Sequence, residues 1–209
     1  MKRNAPRSAL RSLSPEAYAL IFLGVSALGW LFEMIGRYLL YRHVNDRGFL
    51  SLPVCPIYGS CVLLAGLLLG SPFSPSQPLA KLTAPLSGLP RFGRALLRIL
   101  AYWLCATLLA TTVELLTGLA FRAVGIPLWS YAERPGNLLG VICPSYSLLW
   151  GCLLTLVMSL VWDPLCLLIA KIPKRVLKAI TRPLLLLLLL DFLFNCLFVI
   201  VTGERLVLL

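Results

Sequence analysis

Residues 99–121 read ILAYWLCATLLATTVELLTGLAF, an apolar run between Arg98 and Arg122 in which Glu114 is the sole charge. As a helix rising 1.5 Å per residue, such a run is long enough to cross a hydrocarbon core of about 30 Å. The pattern recurs along the chain. Between Glu16 and Arg37 the only charge is Glu33, and the Ala17 to Leu40 stretch ends in the interfacial pair Tyr38 and Tyr41. It is too long for a signal h-region and no small-residue cleavage site follows it. A short, glycine-containing apolar segment runs from Pro53 to Gly70, and another from Cys143 to Val161 with Asp163 and Pro164 just beyond. A last one begins at Pro183, passes through Leu184 to Leu190 and reaches Val201 with Asp191 inside; Pro183 suits a helix's first turn. The expected spans are 17–40, 53–70, 99–121, 143–161 and 184–201. The proline-rich stretch SPFSPSQPLAKLTAPLSGLP forces a loop over 71–94.

Composition agrees. Of 209 residues, 59% are hydrophobic and 13% charged, with a mean hydropathy of +0.90. A soluble domain carries about 25% charge, so the expected fold is all-α, a single polytopic membrane domain with membrane lipids as its surroundings. The net charge of +11 does not point to nucleic acid, because no basic and aromatic stripe lies outside the apolar segments. Lys and Arg are instead sorted by side. The N-terminus, the 71–94 loop and its flank, and residues 171–182 hold 13, whereas the opposite side holds Arg37, Arg42, Arg47, Arg122, Arg134 and Arg205. The positive-inside rule then gives five spans, the N-terminus in the cytoplasm and the C-terminus outside, in a bacterial inner membrane.

Three acids lie within spans, each costing about 2.5–3.5 kcal/mol at mid-bilayer. Glu33 follows Glu16 by 17 residues and Glu114 follows Arg98 by 16, which places both about 24 Å from the inner face, at one depth. Asp191 and Asn195, at i and i+4, form a polar stripe near the middle of the last span. Simple structural roles stand beside functional ones. Arg37 is i+4 from Glu33 and suits an ion pair, while Asp191 with Asn195 suits interhelical hydrogen bonding. Glu114 has no basic residue within a turn, so a pathway role is favoured for it. Facing each other, Glu33 and Glu114 would share a proton or a cation.

The order Glu33, loop, Cys55-Pro56-Ile57-Tyr58 is echoed by Glu114, loop, Cys143-Pro144-Ser145-Tyr146. The echo suggests an internal duplication of a two-helix unit, a transporter device with sites at the repeat interface. Each proline would open a helix descending from outside, with Arg47 and Arg134 in the loops above.

Two blocks resemble a known family. Asn45-Asp46-Arg47-Gly48-Phe49-Leu50, continuing through Pro53 to Cys55-Pro56-Ile57-Tyr58-Gly59, is similar to the NRGFLxGPxxPIYG signature of the ABC-transporter type IV membrane-protein family. The second block runs Glu114 to Gly118, Trp129-Ser130-Tyr131, Asn137, Ile142-Cys143 and Ser147 to Gly151. Together they cover roughly residues 29–164. Asp46, Leu52, Ser130 and Val141 depart from the pattern; Ser130 stands where it has Asp and Val141 where it has Arg, so one outer ion pair is expected to be lost. The resemblance implies a transport permease with a separate ATP-binding subunit as partner, and Arg47, Asn45, Tyr58, Trp129, Tyr131, Asn137 and Trp150 shaping an outer mouth.

Seven cysteines and the single His43 contain no CxxC and no zinc spacing, so neither metal nor cofactor is expected. Cys55 and Cys143, alike in position, allow a disulfide or two buried thiols. No GxSxG, HExxH or Walker A motif occurs, and the chain is not expected to hydrolyse ATP itself. The reading is a permease or membrane subunit of a transporter, its pathway lined by Glu33, Glu114, Asp191 and Asn195. Two rivals stand: a membrane enzyme using a carboxylate as general base on a lipid or lipid-linked substrate, and an accessory or assembly protein in which the acids only pair helices.

Overall fold

The computed structural model describes residues 13–42, 48–73 and 90–206. Six helices account for most of them: α1 Pro15–Tyr41, α2 Pro56–Leu68, α3 Arg91–Ala123, α4 Pro144–Leu160, α5 Trp162–Ile169 and α6 Lys174–Thr202. The described residues contain no strand, only the isolated bridge Leu138–Ile142 in the α3–α4 loop.

The helix ends follow local chemistry. Ser14 caps α1 by accepting the Ala17 N–H at 3.3 Å, and Pro15 takes the first position, where its missing N–H costs nothing. At the end of α3, Gly125 with φ of 80° turns the chain back, so that the Ile126 N–H reaches the Phe121 carbonyl at 2.9 Å. Gly203, with φ of 75°, ends α6 in the same way.

Three helices are long and apolar enough to span a membrane: α1 over Pro15–Leu39, α3 and α6. Helices α4 and α5 form a fourth candidate bent by 50° at Val161, whereas α2 has only 13 residues, about 20 Å at 1.5 Å per residue. The chain is therefore a helical multi-pass membrane protein. Pro183, expected in a first turn, instead lies inside α6, which starts at Lys174. Residues 174–182 are rich in good helix formers, and a long helix absorbs the one hydrogen bond a proline removes. Likewise α3 begins at Arg91, before its apolar run.

The chain divides into two compact units, each described by itself. The first comprises the described residues of 14–60, 116–130 and 172–209. In it α1 packs along α6, and Lys178 of α6 meets Glu16 at 3.8 Å. Lipid tails are as apolar as leucine, so helices associate in a membrane through close packing of small residues. Gly29 of α1 lies against the Tyr58 ring, and Gly59 against Phe22 and Ser26. Phe49 is buried, its ring 5.0 Å from that of Phe121 and 5.5 Å from that of Phe192.

The second unit comprises the described residues of 1–13, 61–115 and 131–171. Gly66 of α2 receives the Trp162 indole, and Gly151 of α4 lies so close to Thr107 of α3 that a Cβ there would strike its hydroxyl and its backbone. Tyr102 is fully buried and its hydroxyl donates to the Gly70 carbonyl at 2.7 Å.

Candidate functional site

Backbone that leaves a helix at membrane depth must find partners within the protein. In the first unit that demand explains Asp191. Its Oδ2 accepts the N–H groups of Ser51 at 3.0 Å and Leu52 at 3.2 Å. Asn195, buried, donates from Nδ2 to the Ser51 hydroxyl at 3.0 Å and to the Asp191 backbone carbonyl at 2.8 Å. The two residues expected to line a pathway thus clamp the loop that leads into α2. Above it, Glu33 of α1 accepts the Tyr58 hydroxyl at 3.0 Å on Oε1 and faces the Cys55 thiol at 3.7 Å on Oε2. Tyr58 can stand there because Gly29, one turn before Glu33, has no side chain to displace it. Asn45 and Arg47 lie outside the described residues.

An open cleft of about 240 Å³ also lies in this unit, lined by Leu50, Pro56, Leu185, Leu188, Leu189 and Phe192. Without a charged group in its walls it has nothing to orient a polar substrate.

In the second unit Glu114 is buried, with 6% of its surface exposed. Its Oε1 accepts the Tyr131 hydroxyl at 2.9 Å, and the Trp150 indole is a hydrogen-bonding neighbour of both groups. Its Oε2 has no hydrogen-bond partner among the described residues. Burial, and then the carboxylate beside it, holds the Tyr131 hydroxyl well above the ordinary phenol range, so Tyr131 stays a donor. Its ring stacks on Tyr146 at 4.9 Å, and Arg134 lies 5.9 Å from the Tyr146 ring on its own account.

Asn137 organises the loop: its Nδ2 donates to the carbonyls of Ala132 and Arg134, and its Oδ1 accepts the Gly140 N–H at 2.9 Å. Trp129 is half-buried and falls in the first unit. Val141, where the resembled signature has arginine, is buried, so an apolar side chain has replaced a charge in an enclosed place. Of the two cysteines considered for a disulfide, Cys55 Sγ lies 3.7 Å from Glu33 Oε2 and Cys143 Sγ lies 3.1 Å from the Ser145 hydroxyl.

Two residues were not singled out from the sequence. Thr111, one turn before Glu114, has a buried hydroxyl without a partner among the described residues; an i−3 spacing from a buried acid was the available signal. Ser51 was hidden in a loop whose partners lie 140 residues away.

No curated protein and no solved structure matches the chain. A family model does, over residues 20–196. Both signature blocks and every acid within a span fall inside that match, which takes in well over half of the 209 residues, and the chain therefore belongs to the family described as "Putative ABC-transporter type IV".

Proposed function

We propose that this protein is a permease, or the membrane subunit of a transport system, in a bacterial inner membrane, with Glu114 as the central group of its pathway. The observation that carries this reading is the unpartnered Oε2 of Glu114, buried within the longest helix. A carboxylate oxygen left without a donor in an apolar span is costly, and function is the ordinary reason for such a cost to persist. Glu33 is its counterpart in a duplicated unit. In each copy a glutamate of the first helix accepts a tyrosine hydroxyl, from Tyr58 in one and Tyr131 in the other, and the second helix opens on Cys-Pro-x-Tyr. The five-span arrangement with the N-terminus inside belongs to this proposal, as does a separate ATP-binding subunit, since the chain has no Walker A motif.

The accessory reading draws support from Asp191, whose hydrogen bonds are those of a structural clamp. Purification of the tagged protein from its native membrane in mild detergent, with mass spectrometry of what accompanies it, separates the two. An ATP-binding subunit at matched stoichiometry is expected. A preparation holding the protein and lipid alone would end the ATP-driven form of the proposal, and uptake unchanged in Glu114→Gln would end the pathway role.

A further inference from the structure

Helix α3 carries two buried oxygens without hydrogen-bond partners among the described residues, Glu114 Oε2 and Thr111 Oγ1. Three residues apart, they are neighbours on one helix surface. Thr111 is unlike the other threonines around it. Thr107 and Thr112 each donate to the carbonyl four residues earlier, both at 2.8 Å, the usual recourse of a helical threonine in an apolar setting. Three further segments of the second unit converge on the same carboxylate: the Tyr131 hydroxyl from the loop, the Trp150 indole from α4, and the Cys61 thiol from α2, within electrostatic reach of it. The close approach of Gly151 to Thr107 holds α4 against this face of α3.

We propose that Glu114 Oε2 and Thr111 Oγ1 are ligands of a monovalent alkali cation, sodium in the first instance, bound within the membrane domain. Both are hard oxygens, the donor type that non-transition cations take. The cluster contains a single acid. One monovalent ion brings it to neutrality, whereas a divalent ion would leave surplus charge in a medium of low dielectric constant. A proton answers less of the geometry. The two oxygens share no hydrogen bond, so a proton on Oε2 would leave the Thr111 oxygen as it was, while an ion seated between them engages both. The transport reading gives such an ion its use, as the coupling ion, but binding can be tested apart from it.

The test uses the full-length protein in detergent micelles. Thermal unfolding followed by tryptophan fluorescence is compared in sodium chloride and in choline chloride at equal ionic strength, and 22Na+ binding is measured by scintillation proximity. A saturable rise in Tm with sodium is expected, together with 22Na+ displaced by unlabelled sodium. Glu114→Gln and Thr111→Val should each weaken apparent sodium affinity about tenfold or more, with Tm in choline close to that of the unaltered protein. Thr111→Val keeps the side chain's shape and removes only the oxygen, so it decides the matter should Glu114→Gln fold poorly. Superimposed sodium and choline curves with background 22Na+ would overturn the proposal. So would sodium binding that Thr111→Val leaves intact, or a Tm that follows pH and ignores sodium. 22Na+ binding without 22Na+ uptake into proteoliposomes would end the coupling role and leave the ion site standing, while loss of 22Na+ binding would end the ion site and leave an ATP-driven permease untouched.

Discussion

Asp191 shows what a single carboxylate does for backbone inside a membrane. Two consecutive N–H groups, of Ser51 and Leu52, end on its Oδ2, and a buried donor left without its acceptor costs about 1–3 kcal/mol. Asp191→Ala leaves both donors unsatisfied where water is scarce and should cost about 2–4 kcal/mol. Asp191→Asn keeps an acceptor oxygen and should cost about half as much. Unfolding in mixed micelles measures both, and equal stability of the three proteins would rule out the clamp. Tyr131 gives a second expectation at this scale. Removing its hydroxyl in Tyr131→Phe strips Glu114 Oε1 of its 2.9 Å donor, and should lower stability by about 1–3 kcal/mol, read in the same assay; no loss would mean the bond is not made in solution. Sequence spacing put Asp191 and Asn195 on one helical face and isolated Glu114 from any local cation. It could not show that Asp191 holds the chain 140 residues away, because a side chain's partner across the fold leaves no trace in local spacing.

Helices associate here through positions that lack side chains. At Gly151 a Cβ would meet Thr107 at its hydroxyl, its Cβ and its backbone, so Gly151→Val must push α3 and α4 apart. The overpacking should cost about 1–3 kcal/mol, and Thr107→Ala in the same chain should recover part of it, since two of the three obstructing atoms belong to the Thr107 side chain. An additive double variant would mean that the two helices do not touch there. Pro183 is the converse case, a residue whose removal should help. Inside α6 it denies the Ala179 carbonyl its i→i−4 donor, and Pro183→Ala should restore that bond and raise stability by about 1 kcal/mol or more; a loss instead would show that packing needs the bend a proline imposes. The helices themselves were legible, because long apolar runs bracketed by Arg98 and Arg122, or by Glu16 and Arg37, admit no other structure in lipid. Their starts were not. A loop was expected through residue 94 and a helix start at Pro183, yet Arg91 and Lys174 begin helices, since charge next to a span says which side it lies on and nothing about whether it is helical.

At the scale of the molecule, helix length and residue pattern give different numbers of crossings. Length admits three spans, or four with α4 and α5 taken together, and leaves out α2. The Asp191 clamp accounts for the shortfall. Asp191 is the eighth residue of the apolar run that begins at Leu184, so the Ser51 and Leu52 backbone it holds lies about 10 Å along that run. Non-helical chain at that depth is tolerated only where protein satisfies it, which is what the clamp does. On the proposed five-span arrangement the chain descends as loop 48–55 and continues as the 13-residue α2, about 20 Å long, to cross a core of about 30 Å without a full-length helix. Five crossings put the two termini on opposite faces; a re-entrant α2 that returns to its starting side, with α4 and α5 crossing, puts them on the same face. In a cysteine-free background, single cysteines at Ser14 and Glu204 should therefore behave oppositely toward a membrane-impermeant maleimide added outside intact cells, Glu204→Cys labelling and Ser14→Cys labelling only after the membrane is opened. Labelling of both from outside, or of neither, would make α2 a re-entrant hairpin and reduce the crossings to four.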